Sequence, residues 1–397
     1  MSFKTNWKKY LHTLRSREIE MVRNYFHEKK FNDGIEFGCG DGFQSGLLKK
    51  MCHHLISTDL NGKRLDPSLK HPEVVYALED ADAISSELLK KRFDFVFSSN
   101  LIEHLAHPDH LLQAIRVILQ SDGYVVHVVP ARGLKLSYLL LFYVSLMDLF
   151  LDRIVDFVQG KKFFQGNPAV SENNINAVIP KKQSRWFRLL LPQIHGNYTS
   201  HYKEWRSWSK KSWSHMFEQN GFSIEKIIPG PVYSGYGFGW DTLRALLEKI
   251  GFTSEHIFIL RKKELPFDPN VTDTPKFAVI TPITKGEYLT NTVLDGLESF
   301  RKQNKISYAI TSGYQDPFGL KQCKLSRSDF IAYALCADGI FFCRLDNGQT
   351  NYELAKTINC FKKTVFIDGS ELKGNRRLDP VIQEQIAKNI YIQVLVL

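Results

Sequence analysis

The feature that most constrains the fold is a short apolar run that ends in a turn with three glycines. Residues 35–43 read IEFGCGDGF, with glycine at alternate positions from Gly38 to Gly42. Glycine tolerates positive φ and lets backbone N–H groups approach a ligand closely. A strand that stops in such a turn before a helix is a place to bind a charged or nucleotide ligand. The spacing departs from a dinucleotide loop, because Phe43 stands where the third glycine of that loop is required.

Three further apolar runs indicate strands of the same sheet. Residues 54–59 end in Asp59, at the distance from the glycines at which a ribose-binding carboxylate is expected. Residues 93–100 form a later run, and the segment 101–105 (LIEHL) is expected to open a helix. Another run, residues 124–130, follows a turn. Because strand and helix signals alternate, the chain is expected to have an α/β fold with a parallel sheet.

This series of motifs resembles the class I S-adenosylmethionine-dependent methyltransferases, in particular the subgroup with E-x-G-C-G-x-G, an E-H-L helix start and an R-V-L-x-x-x-G turn. The resemblance covers roughly residues 17–130 and resumes around 205–263. It implies a Rossmann-like sheet of seven strands, with S-adenosylmethionine as the cofactor. Two departures, Glu79 for a usual glycine and Ser121-Asp122 for a usual Pro-Gly, affect turns rather than chemistry.

The resemblance also implies a set of cofactor-binding residues. The backbone of the glycine turn would receive the methionine end of the cofactor, and Asp59 would hold the ribose hydroxyls. Asp80 and Ala81 would meet the adenine edge, although Asp82 is an alternative to Asp80 and Asp59 could be an ordinary loop acid. The full set is Glu36, Gly38, Gly40, Gly42, Asp59, Asp80, Ala81, Ser99 and Asn100.

Three histidines are candidates for a general base, because histidine titrates near neutral pH. His104 lies in the E-H-L segment, and His195 and His201 lie in the segment 194–205, which is dense in groups that bond hydroxyls or stack on sugar rings. A structural role is the alternative for each. Methyl transfer from a sulfonium needs orientation rather than a metal or reducing power. The six cysteines show no zinc spacing, so no metal site is expected.

Chain length and cysteine usage limit the number of domains and the cellular compartment that the sequence predicts. A chain of 397 residues is long enough for two domains with cores of their own. The cysteines have no C-x-x-C pair and are expected to be reduced thiols in a cytoplasmic protein. The first residues lack the apolar core of a signal peptide, which agrees with that expectation.

The net charge of +10 is concentrated in one segment. Residues 131–215 contain 13 Lys or Arg and 5 Asp or Glu. The same segment holds a very apolar stretch, 136–158, whose uninterrupted part is shorter than the roughly 20 residues that span a bilayer. Its three aspartates fall at helical spacing and make one polar stripe. The segment has three alternative roles: a buried lid or dimer face, a peripheral membrane contact through 134–190, or nucleic-acid binding. Nucleic acid is not an expected partner, because the sequence shows no nucleic-acid-binding module.

Strand and helix signals return after a Pro-rich linker at 265–275 and predict a second, smaller parallel α/β domain. Its segments 337–343 (ADGIFFC), 346–355 (DNGQTNYELA) and 363–367 (KTVFI) resemble the core of nucleoside 2-deoxyribosyltransferase-like domains. That resemblance implies Asp346 as a loop acid and Glu353 as the group at the sugar C1 centre. The alternative is a docking module without chemistry.

These observations predict a methyltransferase domain at 1–264 with an insertion at 131–205, a linker at 265–275 and a second domain at 276–397. The expected reaction is O-methylation of a sugar of a surface glycan or of its lipid-linked precursor. A small lipid-soluble metabolite is the alternative acceptor, and a non-catalytic binding module is the alternative class.

Overall fold

The computed structural model of the chain describes most of residues 7–265 and parts of the remainder. Within the first stretch, residues 159–191, 193, 197, 237 and 239 lie outside the described part. Beyond residue 265 the described segments are 276–280, 308–311, 327–336, 339–342, 364–368 and 392–395.

The first sheet has seven strands in the order β3-β2-β1-β4-β5-β7-β6. All neighbours are parallel except β7, which runs antiparallel to both β5 and β6. This order confirms the expected Rossmann-like methyltransferase sheet. The strands are β1 Phe31–Phe37, β2 Cys52–Asp59, β3 Val74–Leu78, β4 Phe93–Ser99, β5 Leu119–Pro130, β6 Phe222–Pro229 and β7 Glu255–Lys262.

Helices cover both faces of this sheet. Neighbouring strand residues point to opposite faces, so Phe95 belongs to one buried cluster with Val22 of α1, and Val96 belongs to another with Ile115 of α4. Burial on both faces explains why the central strands are continuous Val, Ile and Phe runs. The helices are α1 Trp7–Tyr25, α2 Phe43–Leu48, α3 Ser86–Leu89, α4 Pro108–Ile118, α5 Arg132–Val158, α6 His201–Ser207, α7 Lys210–Gln219, α8 Asp241–Lys249 and α9 Arg327–Cys336.

The prediction that segment 101–105 opens a helix is wrong. Residues Ile102–His104 form a single 3₁₀ turn, and α4 begins only at Pro108. His107 is non-helical (φ −132°, ψ 69°), because a residue before proline is pushed out of the helical region. Proline then starts α4, since its fixed φ suits the first helical position. The 3₁₀ turn therefore follows the carboxyl end of β4 and is separate from α4.

The long apolar helix is present and begins earlier than expected. The sequence predicts a helix over 136–158, and α5 covers Arg132–Val158. Among the helices of the described part, none is long and apolar enough to cross a membrane.

The second sheet has five parallel strands in the order β12-β11-β10-β8-β9. This confirms the predicted parallel α/β arrangement of the C-terminal region. α9 packs on α4, and Arg116 Nη1 of α4 bonds Asp329 Oδ1 of α9 at 2.7 Å. The alternating signals of the sequence also predict helices at 289–303, 327–335, 351–360 and 380–388. α9 confirms the second of these, and the other three lie outside the described residues. The strands are β8 Lys276–Ile280, β9 Tyr308–Thr311, β10 Gly339–Phe342, β11 Thr364–Asp368 and β12 Ile392–Leu395.

Candidate active site

The glycine turn between β1 and α2 has a backbone that favours glycine at three positions. Gly38, Gly40 and Gly42 have φ values of 79°, 56° and 86°. The N–H groups of Gly38 and Cys39 both donate to the carbonyl of Thr58, at 2.8 and 2.9 Å, which ties the turn to the end of β2. A Cβ added at Gly40 would meet nothing nearer than Arg64 Nη2 at 4.0 Å. A ligand can therefore approach the backbone at Gly40.

Asp59, the last residue of β2, faces this turn. Its Oδ2 accepts from the Gly40 N–H and its Oδ1 from the Asn61 N–H, both at 2.9 Å. Each carboxylate oxygen offers more than one lone pair, so both can also accept from ribose hydroxyls. The open backbone at Gly40 and this anchored acid fit the methionine and ribose parts of S-adenosylmethionine.

Glu36 lies buried beneath the turn. Its Oε2 accepts hydrogen bonds from the hydroxyls of Ser45 at 2.5 Å and Ser57 at 2.7 Å. Burial raises the pKa of Glu36 to about 7. These bonds join β1, β2 and the start of α2. Glu36 therefore links the elements on both sides of the glycine turn.

Asp80 and Asp82 have different environments. The Asp82 carboxylate accepts from the N–H groups of Ala106 at 3.0 Å and His107 at 2.7 Å, so it supports the chain that follows the 3₁₀ turn. Asp80 accepts the N–H of Asp82 at 3.0 Å and is half-buried, like Ala81 beside it. The adenine role of Asp80 and Ala81 stays a prediction, and Asp82 has a structural task of its own.

Ser99 ends β4 and Asn100 follows it, next to a polar cluster that the sequence did not reveal. Arg15 Nη1 donates to Ser99 Oγ at 2.6 Å and to Glu18 Oε1 at 2.7 Å. Ser99 Oγ donates to Glu18 Oε2 at 2.9 Å, and Gln44 Nε2 donates to the same oxygen at 3.0 Å. The available signal was the pair Arg15 and Glu18, which lie three residues apart on α1 and therefore on one face.

Glu255 extends this cluster from the start of β7. It is fully buried, and burial, followed by the nearby Glu18 charge, raises its pKa well above the usual range. Nothing local marks Glu255 in the sequence, because its environment comes from strands and helices distant along the chain.

The structure brings two of the three candidate histidines together. The rings of His104 and His195 have centroids 4.8 Å apart. His195 also lies against Trp208, at 5.7 Å, and Tyr138, at 6.2 Å. The 3₁₀ turn that carries His104 reaches the glycine turn through Leu101, whose side chain would lie 3.2 Å from a Cβ at Gly38. We call this group of four rings, from His104, His195, Tyr138 and Trp208, the histidine recess.

The third candidate, His201, lies in a separate contact. Its Nδ1 is 2.7 Å from Lys135 Nζ, and Lys135 also forms a buried ion pair with Glu204. A lysine ammonium can only donate, so His201 Nδ1 accepts and its Nε2 carries the proton when the ring is neutral. His201 in this state is arranged to donate a hydrogen bond through Nε2.

Burial sets the charge of the two recess histidines. It lowers the pKa of His195 to about 3, with further contributions from His104 and Lys135. Burial, followed by Arg64, also lowers the pKa of His104. Both imidazoles are therefore neutral near pH 7 and each has a lone pair. The general-base assignments of His104, His195 and His201 stay predictions.

Glu103 beside His104 is a further residue that sequence reasoning did not single out. It is 4% exposed, and burial raises its pKa to about 8. Within the described part of the chain, neither of its carboxylate oxygens has a hydrogen-bond partner.

A cavity of about 410 Å³ lies between α1 and the start of α2. On its wall the His12 ring stacks on Phe43 at 3.9 Å, and His12 Nε2 lies 2.8 Å from Asp41 Oδ2. The cavity therefore borders the glycine turn on the α1 side. Its lining residues are Lys8, Lys9, His12, Thr13, Ser16 and Phe43. In the second domain, the predicted site residues Asp346 and Glu353 lie outside the described residues.

Comparison with known proteins supports the sequence resemblance. A family described as "Methyltransferase domain" matches residues 10–227, more than half of the chain. A ubiquinone biosynthesis O-methyltransferase of Actinobacillus pleuropneumoniae serotype 7 (strain AP76) is 26% identical over 138 residues, which are 33% of this chain and 57% of that protein. A protein of the same name from Paraburkholderia xenovorans (strain LB400) is 27% identical over 109 residues, 26% of this chain and 47% of that protein. The chain spans about half the length of the curated relatives it matches.

Solved structures of similar outline include an S-adenosylmethionine-dependent methyltransferase from Mesorhizobium loti. It is 13% identical with a TM-score of 0.35, covering 59% of this chain and 92% of that chain. Another, from Clostridium acetobutylicum ATCC 824, is 10% identical with a TM-score of 0.35, covering 66% and 93%. The fold assignment rests on the strand order and not on these two overlaps.

The family match includes the glycine turn, Asp59, Asp80 and the end of β4, and the sheet has the seven strands that the resemblance implies. The chain belongs to the class I S-adenosylmethionine-dependent methyltransferases, and its cofactor is S-adenosylmethionine.

Proposed function

We propose that this chain methylates a hydroxyl oxygen of a lipid-soluble acceptor. The observation that carries the proposal is the histidine recess, which adjoins the glycine turn and is lined by Tyr138 of α5. The names of the two curated relatives, which are O-methyltransferases of ubiquinone biosynthesis, support both an oxygen acceptor and a lipid-soluble one.

The recess has the chemistry to hold a hydroxyl group. S-adenosylmethionine, when bound, supplies an electrophilic methyl group, so the protein must mainly orient the acceptor oxygen and exclude water. His104 and His195 are neutral near pH 7, and a neutral imidazole nitrogen can accept a hydrogen bond from a hydroxyl. Trp208, which is fully buried, closes one wall of the recess with an apolar surface.

The outer part of α5 has an exposed apolar face. Leu140, Tyr143, Met147 and Phe150 are between 53% and 66% exposed, and their spacing of three or four residues places them on one side of the helix. Tyr138, which lines the recess, projects from the other side of the same helix. We infer that the exposed face rests on a membrane surface, from which a lipid-soluble acceptor enters the recess.

The acceptor expected from the sequence, a sugar of a surface glycan or of its lipid-linked precursor, differs from this proposal in the head group. A lipid-linked sugar would share the apolar tail, whereas a free glycan would not. The two lipid-borne head groups are therefore compared directly in the test.

The test is methyl transfer from S-adenosylmethionine, labelled in its methyl group, to three acceptors in detergent micelles. These are a prenylated catechol, a prenyl-linked sugar and a water-soluble catechol. We expect the label in the prenylated catechol, with the mass increment of one CH₂ on oxygen. Asp59→Ala serves as the control and should weaken cofactor binding by more than about tenfold, roughly 1.4 kcal/mol, in calorimetry.

Label in the prenyl-linked sugar alone would contradict the proposed head group and support the lipid-linked sugar expected from the sequence. Equal transfer to the soluble and the prenylated catechol would remove the role of the α5 face. Absence of transfer to every acceptor by protein that binds the cofactor would contradict the proposed reaction.

A further inference from the structure

We propose that Glu103, His104 and His195 bind a divalent transition-metal ion at the histidine recess, and that this ion holds the acceptor hydroxyl. The metal site itself is independent of the acceptor, and only its second part, the role toward the hydroxyl, rests on the proposed function.

The three side chains already converge. One possible ligand atom from each lies within 4.8 Å of the other two. Glu103 Oε1 and His104 Nε2 are 3.9 Å apart. Ligand atoms bonded to a zinc-sized ion at about 2.0–2.2 Å lie roughly 3–4 Å from one another. Rotations that move these atoms by about 1 Å would therefore complete a site.

A close backbone contact holds His195 next to the 3₁₀ turn. Gly196 has φ 68°, and a Cβ there would lie 2.6 Å from the carbonyl oxygen of Glu103. Any side chain at this position would therefore separate the two segments. Glycine at 196 lets the loop approach the turn, so that His195 reaches His104 although the two are distant along the chain.

Glu103 gives independent evidence of a ligand. Its side chain is shielded from solvent, and neither carboxylate oxygen has a hydrogen-bond partner in the described part of the chain. A buried polar group without a partner costs free energy, on the order of 1–3 kcal/mol and more when it is charged. A cation bound between Glu103 and the two imidazoles would supply the missing partner.

The ligand types indicate the class of ion. Neutral imidazoles suit zinc, iron, copper and nickel, and a carboxylate adds an anionic oxygen. Three protein ligands leave coordination positions for other groups, as in catalytic metal sites. His104 is 41% exposed at its side chain, so the open side of the site faces solvent and the acceptor.

The cations that act on the three ligand residues each have an anionic neighbour. Arg15, which acts on Glu103, bonds Glu18. Lys135, which lowers the pKa of His195, forms its buried ion pair with Glu204. Arg64, which lowers the pKa of His104, is 3.9 Å from Asp59. Their charges are therefore partly compensated, and Glu103 contributes an anionic ligand once its proton has passed to solvent.

The ion would also narrow the acceptor class. Coordination lowers the pKa of a bound hydroxyl and fixes its oxygen. When such an ion is five-coordinate, three protein ligands leave two positions, which favour an acceptor with a second oxygen beside the reacting hydroxyl, as in a catechol or a vicinal diol. In the transfer, the hydroxyl proton passes to solvent, the O–CH₃ bond forms, and the electron pair of the breaking C–S bond stays on sulfur.

The test uses Co²⁺ as the probe and the full-length protein after removal of metals with a chelator. Visible d–d absorption reports imidazole coordination without any methyl transfer. We expect one equivalent of Co²⁺ to bind, and Glu103→Gln and His195→Ala to weaken this binding at least tenfold. Glu103→Gln nearly keeps the side chain's shape, and unchanged S-adenosylmethionine binding would show that the variant is folded.

The matched control is His107→Ala. His107, Asp109 and His110 form a second group with convergent ligand atoms, and His107 lies outside the recess. Co²⁺ binding that depends on His107 and not on Glu103 would overturn the proposal, as would no stoichiometric binding or equal binding by wild type and Glu103→Gln. Co²⁺ binding at Glu103 without methylation of any hydroxyl would support the metal site and contradict the proposed function alone.

Discussion

Glu36 makes the stability of the cofactor turn depend on pH. Its pKa is about 7 in the folded protein, because burial disfavours the charged form, against an ordinary value of 4.5. Between these values the folded state binds more protons than the unfolded state, so stability falls as pH rises. The contribution is fully present below pH 4.5 and is lost as pH rises through about 7. A shift of this size corresponds to about 3 kcal/mol.

We predict that Glu36→Gln removes this dependence. Glutamine keeps an oxygen that can accept from Ser45 or Ser57 and does not ionise. The stability of wild type minus that of the variant should fall by about 3 kcal/mol between pH 4.5 and pH 8. Urea unfolding at several pH values measures it, and the other buried carboxyls cancel because both proteins contain them. If the stability difference between wild type and Glu36→Gln stays constant with pH, Glu36 is not protonated near neutrality.

Side chains near the glycine turn were predictable, and those of the recess were not. The closeness of Gly38 and Gly40 to Asp59 follows from the sequence, because they end neighbouring parallel strands, whose carboxyl ends lie side by side. Glu103 was visible as part of E-H-L, but its missing partners and its contact with Gly196 depend on tertiary packing. His195 was proposed as a base, and its closeness to His104 has no local signal.

Among the elements, α5 and α6 are joined by the buried pair Lys135 and Glu204, whose side chains are 1% and 0% exposed. Removing one member of a buried pair leaves the other charge without compensation, whereas replacing both can be nearly neutral. The pair also fixes His201 through Lys135. The attachment of α6 to the recess therefore depends on both charges together.

We predict that Lys135→Met lowers the free energy of unfolding by about 3–5 kcal/mol. The double variant Lys135→Met/Glu204→Gln should be more stable than Lys135→Met alone, because the uncompensated carboxylate is gone. Equilibrium urea unfolding of the wild type, both single variants and the double variant completes the cycle. Additive effects of the two substitutions would argue against a coupled pair.

The sequence predicted strands better than the boundaries of short helical segments. Apolar runs that end in Gly, Asp or Ser gave β1, β2 and β4, because burial on both faces leaves such a run in sequence. The sequence also predicts a helix start in the E-H-L segment, where the structure has a separate 3₁₀ turn. The proline at 108 starts α4 after this turn.

On the scale of the entire chain, the two sheets meet through α4 and α9. Arg116 is 2% exposed at its side chain and bonds Asp329, and it also bonds Gln113 at 3.0 Å and the carbonyl of Lys263 at 3.0 Å. Ile331, Ala332 and Leu335 of α9 belong to the same buried cluster as the apolar side of α4. The glycine turn lies at the carboxyl end of β1, outside the contact between α4 and α9.

We therefore predict that removal of residues 276–397 leaves cofactor binding within about threefold of wild type, roughly 0.7 kcal/mol, and lowers the stability of the first domain. The loss should be at least about 2 kcal/mol, because buried side chains of α9 no longer cover α4. Calorimetry with S-adenosylmethionine and thermal unfolding measure the two effects.

Asp329→Asn in the full chain is the matched control, since it removes the ion pair and keeps the apolar contact. A truncated protein that is folded by circular dichroism and binds the cofactor more than tenfold weaker would mean that the second domain supports the cofactor site, because α4 would then transmit its packing to the glycine turn.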